Sequence, residues 1–471
     1  MTVPQQRTTA LHRRTFLGQT AMGTLGMLAL ADLLRAEGVL GPARTDHAPT
    51  ANKVICLFQN GGPSQMDLFD PKPKLNQLDG QPYTGAEKIE SIMNITNGKL
   101  MGTPFKFQPQ GRSGMELSEI LPNISKVADE ITLVRSMVAS SVCHEASLRE
   151  WVGGSTLIAG RPSIGSWVQY GLGSLNENLP AYVVLPDPEM PPVLGRQNWT
   201  NGWLPASYQA TPILSGGDAP VINLKSPSQV SEPARSAQLK YLKQLNGQHL
   251  VRYPENSELS ARIANFEMAA RMQSVVPSVV DLSQETVETR QLYGLDNPIT
   301  KDYATRVLMA RRLIEHGVRY VSVYLGHQPW DTHSNNATET KKIASAVDQP
   351  SAALVQDLKR RGMLDSTIVL WLGEFGRTPI SEGASGRDHS RPGFSIWIAG
   401  GGFKSGYVHG ATDEIGYKAV KDPIRFCDLH ATLLHALGID HRRLTYPHEG
   451  RIESLTDYDV TKAQVIKELL T

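Results

Sequence analysis

The stretch from Val347 to Arg377, VDQPSAALVQDLKRRGMLDSTIVLWLGEFGR, constrains the fold of this chain more than any other. Leu354, Val355, Leu358 and Met363 recur at helical spacing, with Lys359, Arg360 and Arg361 on the solvated side, which predicts an amphipathic helix. Gly362 and Asp365 mark a turn. Thr367 to Leu372 (TIVLWL) is then apolar almost without interruption, the pattern of a parallel strand covered on both faces. Gly373-Glu374-Phe375-Gly376-Arg377 leaves that strand at its carboxyl end, where open α/β sheets place their ligands. Helix, buried strand and polar exit together predict both a fold class and the location of a site.

The same strand signal recurs in Lys53–Phe58, Ile131–Met137, Ala181–Leu185 and Tyr320–Leu325. Strand, polar loop and helix in repeated order predict an α/β fold, a largely parallel doubly wound sheet with helices on both faces. From about residue 226 to 300 the apolar runs stop. Segments such as LSARIANFEMAARMQSVV predict a helical insertion there, within one domain spanning residues 51–471. Apolar content of 40% with 20% charge fits an ordinary globular chain. A net charge of +1 and the lack of a basic stripe argue against a nucleic-acid partner.

Residues 1–31 have the form of a targeting segment. Arg13-Arg14 precede a Gly/Ala-rich apolar run, and Ala29-Leu30-Ala31 offers a small-x-small cleavage site. The twin-arginine form predicts export of a folded protein to the periplasm or beyond, with no stable transmembrane span after cleavage. The diluted apolar run is shorter than the ~20 residues that a spanning helix needs. Residues 32–50 read as a flexible linker. The three cysteines, Cys56, Cys143 and Cys427, form neither a disulfide framework nor a thiolate zinc site.

Several motifs carry a resemblance. GMLDSTIVLWL with GEFGR is similar to the segment preceding the Asp-His-Gly metal motif of sulfatases, members of the alkaline-phosphatase-like superfamily. FSIWIAGGGFKSGYV and DLHATLLHALGI are similar to their strand with a Gly-rich turn and to their late helix. Taken over most of the length, GGPSQMDLFDPKP, RPSIGSWVQYGLG, WDTH, GEFGRTP and GRDH resemble the exported bacterial family known as domain of unknown function 1501. The resemblance implies an alkaline-phosphatase-like fold and a metal-dependent ester hydrolase.

Five clusters fall at expected strand ends. Asp67, in the loop after the first strand, stands near where the superfamily has metal-binding aspartates; by itself it reads equally well as a helix cap. His144 falls in the slot that the resemblance assigns to the sulfatase nucleophile. Neither Cys143 nor Ser147 aligns there, so a formylglycine mechanism is not expected, and His144 is either a metal ligand or a general base. Asp331 and His333, two residues apart, project the same way if their loop is extended, an ordinary zinc pair. Glu374 replaces the sulfatase aspartate as ligand, whereas Phe375 cannot coordinate, and Arg377 is a fork for a sulfate or phosphate oxygen. Asp388 and His389 lie in a Gly/Ser-rich loop that resembles the one carrying the late His of the alkaline-phosphatase metal centre, with Asp388 either a ligand beside it or the group that orients His389. His430, His435, His441 and His448 read as structural.

These readings predict an exported hydrolase of sulfate or phosphate esters, acting on a small molecule or polysaccharide through metal-activated water. His144 and Arg377 would be catalytic, and Asp67, Asp331, His333, Glu374, Asp388 and His389 metal-binding. The ion would be divalent, zinc first, with manganese, calcium and magnesium as alternatives. The rival expectation is a metal-stabilised pseudoenzyme that binds sugars through Trp199, Trp203 and Tyr208.

Overall fold

A computed structural model describes residues 45–85, 88–90, 98–215, 231–253 and 257–471. The export segment and most of the expected linker therefore lie outside the described residues. The strands that position the site are β1 (Lys53–Phe58), β2 (Ile131–Val138), β3 (Tyr182–Leu185), β4 (Thr211–Pro212), β5 (Tyr320–Tyr324) and β6 (Thr367–Leu372). They are followed by β7 (Gly376–Glu382), β8 (Gly386–Ser390), β9 (Phe394–Ala399), β10 (Tyr407–His409) and β11 (Ile424–Arg425). The helices that matter are α1 (Gln65–Leu68), α2 (His144–Gly153), α3 (Ile164–Leu172), α4 (Lys301–Glu315), α5 (Asn336–Arg360) and α6 (Phe426–Ala436).

One nine-stranded sheet runs β10-β2-β9-β6-β1-β5-β3-β4, with β11 also beside β2. Its centre is parallel: Val54 lies opposite Tyr320 on one side and Ile368 on the other. Only β9 runs against both of its neighbours, β6 and β2. Alternation along β1 sends Ile55 and Leu57 to one core and Val54, Cys56 and Phe58 to the other. α4 and α5 cover the first face, through Leu308, Leu313, Leu354 and Leu358. The second face carries α2, α3 and α6, through Leu148, Trp151, Trp167, Leu429 and Leu433. Covering both faces is what requires continuous apolar strands; each such side chain contributes about 1.5–3 kcal/mol.

Four local expectations change. α5 begins at Asn336, well before Val347, and passes through Pro350. Ile343, Ala344 and Val347 are buried before the proline and Leu354, Val355 and Leu358 after it, outweighing the one hydrogen bond it removes. Met363 lies past the helix end, in the turn. Residues 46–50, read as linker, run along the end of α6: the Asp46 N–H donates to the Gly438 carbonyl (2.7 Å) and that of Thr50 to Ala436 (2.9 Å). They thereby satisfy carbonyls that a helix end leaves free. Of the rings offered for sugar stacking, Trp199 is buried against Tyr324, while half-buried Trp203 stacks on His448 at 4.8 Å and half-buried Tyr208 meets Tyr170 edge-on. Within residues 226–300 the described chain is mostly helical, including Glu232–Arg252 and Ser257–Val280, with turns near 281–286 and 294–300, and Met272, Val276 and Val279 join the first core.

Candidate metal centre

The loops leaving β1, β2, β5 and β6 meet beyond the carboxyl edge of the sheet, where the β7–β8 hairpin closes over them. His144 is the first residue of α2. Asp331 and His333 lie between β5 and α5, Glu374 directly follows β6, and Asp388 and His389 belong to β8. The Gly/Ser-rich loop expected around Asp388 is therefore a strand paired with β7, His389 opposite Arg377. The loop with Asp331 is also not extended. The His333 N–H donates to the Asp331 carbonyl (3.1 Å), a three-residue turn that still brings the two side chains together. Gly61 is needed beneath it: at φ +106° it approaches so closely that a Cβ would stand 2.7 Å from the Asp331 nitrogen.

Each of the three imidazoles has its Nδ1 hydrogen bonded outward. His144 Nδ1–H donates to Glu374 Oε1 (2.6 Å), His389 Nδ1–H to the Val142 carbonyl (2.7 Å), and His333 Nδ1–H to Glu382. The three Nε2 atoms consequently face inward, toward one carboxylate. His333 and His389 Nε2 lie 2.9 and 3.0 Å from Asp331 Oδ1, and His144 Nε2 lies 3.4 Å from Oδ2. The Nε2 atoms of His333 and His389 are 3.1 Å apart. Ligand atoms of His144, Asp331 and His389 all lie within 4.8 Å of one another, as do those of His333, Asp388 and His389.

Neutral imidazoles with Nδ1 protonated present lone pairs at Nε2. Three lone pairs and a carboxylate around one small volume repel each other unless positive charge lies between them. In the metal-free chain protons supply it. Burial opposes charge on His144, but the carboxylates of Asp331 and Glu374 outweigh burial and lift its pKa to about 9. The hydrogen bond to Asp331 raises His333 too, while burial lowers His389. Burial also opposes ionisation of Asp331, yet the three histidines and Arg377 hold its carboxyl far below the usual range. Buried His144 Nε2 and Glu374 Oε2 have no hydrogen-bond partner. A divalent cation fits this set: nitrogen and oxygen donors, converging, with ring orientation fixed from behind.

The chain matches the family described as "Protein of unknown function (DUF1501)" over residues 51–470. It belongs to that family. No curated protein matches this DUF1501 chain. Solved structures similar to it include the phosphonate monoester hydrolase SpPMH from Silicibacter pomeroyi, at 10% identity and TM-score 0.38, covering 89% of this chain and 76% of that one. The PsFucS1 sulfatase from Pseudoalteromonas sp. is similar at 13% identity and TM-score 0.34, with coverage of 93% and 72%. A protein in the alkaline phosphatase superfamily from Vibrio parahaemolyticus is similar at 12% identity and TM-score 0.35, with coverage of 87% and 74%.

Five of the residues singled out in this DUF1501 sequence come together: His144, Asp331, His333, Asp388 and His389. Asp67 stands apart, and Glu374 and Arg377 touch the cluster from behind. Asp67, read as a ligand, is wholly buried against Arg387, with Oδ2 2.9 Å from Arg387 Nε, 2.6 Å from Ser64 Oγ and 2.9 Å from Asn336 Nδ2. Its lone pairs are taken up by protein donors. Glu374 stands behind His144 and also accepts the Gly61 N–H (2.8 Å). Arg377, read as an anion fork, is fully buried. Its donors go to the Gly61, Gly62 and Arg387 carbonyls and to Asp331 Oδ1 (2.6 Å). Gln65 on α1 fixes its backbone from both sides, accepting the Arg377 N–H and donating to its carbonyl, each at 2.9 Å. Phe375 packs on His144 and His389 at 4.8 and 4.7 Å, shielding two rings from water. Sequence reasoning gave no role to Glu382 or Arg387; Arg387 lies inside GRDH, and the only signal for Glu382 was proximity to GEFGR and GRDH.

Proposed function

We propose that this protein is an exported, metal-dependent hydrolase of sulfate or phosphate esters, and that its ligands are His144, Asp331, His333, Asp388 and His389. The observation supporting this most directly is the convergence of three outwardly anchored imidazoles on Asp331 at the carboxyl edge of the sheet. A bound divalent ion, zinc before manganese, magnesium or calcium, supplies Lewis acidity toward an ester oxygen and lowers the pKa of a water molecule. The chain's own residues then do the following. Glu374 holds the His144 ring, Arg377 holds Asp331, and Phe375 keeps two imidazoles dry. Water rather than formylglycine is the proposed nucleophile, since His144 occupies the slot that the sulfatase resemblance gives to cysteine or serine. The export proposal rests on Arg13-Arg14 and the segment after them. Among the described residues no helix is long and apolar enough to cross a membrane.

A second reading, a metal-holding protein without turnover, is favoured by one observation: the donors of Arg377 already have protein partners. Metal analysis of the mature chain, paired with turnover of an aryl sulfate and an aryl phosphate, separates the two. About one or two equivalents of metal with ester cleavage supports the hydrolase. Metal without cleavage supports the second reading, and no metal removes both.

A further inference from the structure

Of the three inward-facing imidazoles, His333 is the most exposed, with a side chain 34% accessible against 9% for His144 and 6% for His389. Its turn is short, and the ring against it, His389 at 4.8 Å, is another of the converging imidazoles rather than an apolar cover such as Phe375. Its orientation depends on the group behind Nδ1, and that group is Glu382, the last residue of β7, with a side chain 16% accessible. We infer that Glu382 is a positioning residue that fixes the tautomer and direction of His333 and thereby sets the affinity of the centre for its ion.

The hairpin is built to deliver it. Glu382 pairs with Gly386 across the β7–β8 ladder, and Gly386 lies so close to the His333 carbonyl that no side chain could be accommodated there. The Asn336 N–H donates to the Ser385 carbonyl (2.9 Å), and the Arg387 N–H to that of Thr332 (3.1 Å). Loop and hairpin are thus joined on both sides of His333, which brings the Glu382 carboxylate to Nδ1. Glu374 and the Val142 carbonyl do the same for His144 and His389. All three rings are therefore held in the Nδ1–H form, the arrangement in which an outer carboxylate or carbonyl leaves Nε2 free to ligate and raises its basicity. Each imidazole has a holder from a different segment, so loss of one leaves the other two in place.

This inference rests on the metal-centre reading, and its test separates the two. The full mature chain, stripped with a chelator, is titrated with Zn2+ for wild type, Glu382→Gln and Glu382→Ala. Melting of the metal-free forms and histidine 15N shifts are recorded in parallel. Glu382→Ala is expected to weaken Zn2+ binding about 10–100-fold, with Glu382→Gln in between and metal-free melting unchanged. The His333 Nδ1 and Nε2 shifts should lose the fixed Nδ1–H pattern in the alanine variant. Wild-type affinity in Glu382→Ala overturns the inference and leaves the metal centre standing. So does lower metal-free melting with unchanged affinity, which assigns Glu382 to structure alone. No Zn2+ uptake by wild type overturns the metal reading with it. Uptake without ester cleavage removes only the hydrolase.

Discussion

The β7–β8 hairpin contributes one buried arginine to each of two aspartates, Asp67 wholly buried and Asp331 half-buried, and the two pairs end in opposite states. Around Asp67 everything closes. Arg387, Ser64 and Asn336 supply donors to its carboxylate, and Arg387 has further acceptors in the Thr378 and Gly102 carbonyls. Around Asp331 the closure is incomplete: one Arg377 donor arrives at 2.6 Å, and the remaining neighbours are imidazole nitrogens whose other ring nitrogen is already engaged. The first pair is a structural unit that wants nothing more. The second is a converging set of nitrogen and oxygen atoms that could hold a cation. Charge is alike in both; what differs is enclosure, Asp67 being wholly buried and Asp331 22% accessible, and whether the surrounding groups are donors or acceptors.

The largest effect expected from breaking this contrast is Asp67→Ala, which strands the Arg387 guanidinium in the core. Unfolding stability should fall by about 3–5 kcal/mol, by urea titration, with metal content per folded chain unchanged. Loss of metal from a folded Asp67→Ala chain would show that the closed site is not closed.

A second test uses His430, a buried histidine bonded to a backbone carbonyl rather than to a carboxylate. Its Nε2–H donates to the Trp151 carbonyl (2.7 Å), near the far end of the helix that His144 begins, and burial pushes its pKa down to about 4. The native protein refuses a proton that the unfolded chain accepts. Its contribution is complete above about pH 6.5, declines as pH falls through the window between there and 4, and amounts to about 3 kcal/mol. Stability against pH for wild type and His430→Gln should differ in that slope; parallel curves would remove the assignment.

Next comes the ion itself. Zn2+ at about a hundred times its Kd should stabilise wild type by about 2.7 kcal/mol, reversed by a chelator. The increment should vanish in His389→Ala and His333→Ala and persist in Arg387→Lys if that variant folds. The smallest expected effect is at Glu374. Glu374→Gln keeps an acceptor for His144 and should weaken metal binding about tenfold or somewhat more, about 1.4 kcal/mol upward. An unaltered affinity would make Glu374 dispensable to the centre.

Most of the sheet could be read in advance. KVICLF, ITLVRSM, YVSVY and TIVLWL are apolar because both of their faces are covered, and that requirement acts residue by residue along the chain. The positions of the site loops followed, since each leaves a strand at its carboxyl end. β8 was not legible: Gly-Arg-Asp-His-Ser carries no strand signature, because its polar side chains are buried against Asp67 and the imidazoles rather than in an apolar core. Glu382 was not legible for a related reason, since only the hairpin register brings it to His333.

The sequence by itself determined a doubly wound α/β sheet and the kinds of side chain gathered at its edge. Tertiary structure alone decided what each does. Arg377 reaches Asp331 across 46 positions and Arg387 reaches Asp67 across 320, and no local pattern says which guanidinium will meet which carboxylate. Local periodicity reports burial, which each residue experiences singly. Pairing depends on directions and distances between segments, and these exist only once the chain has packed.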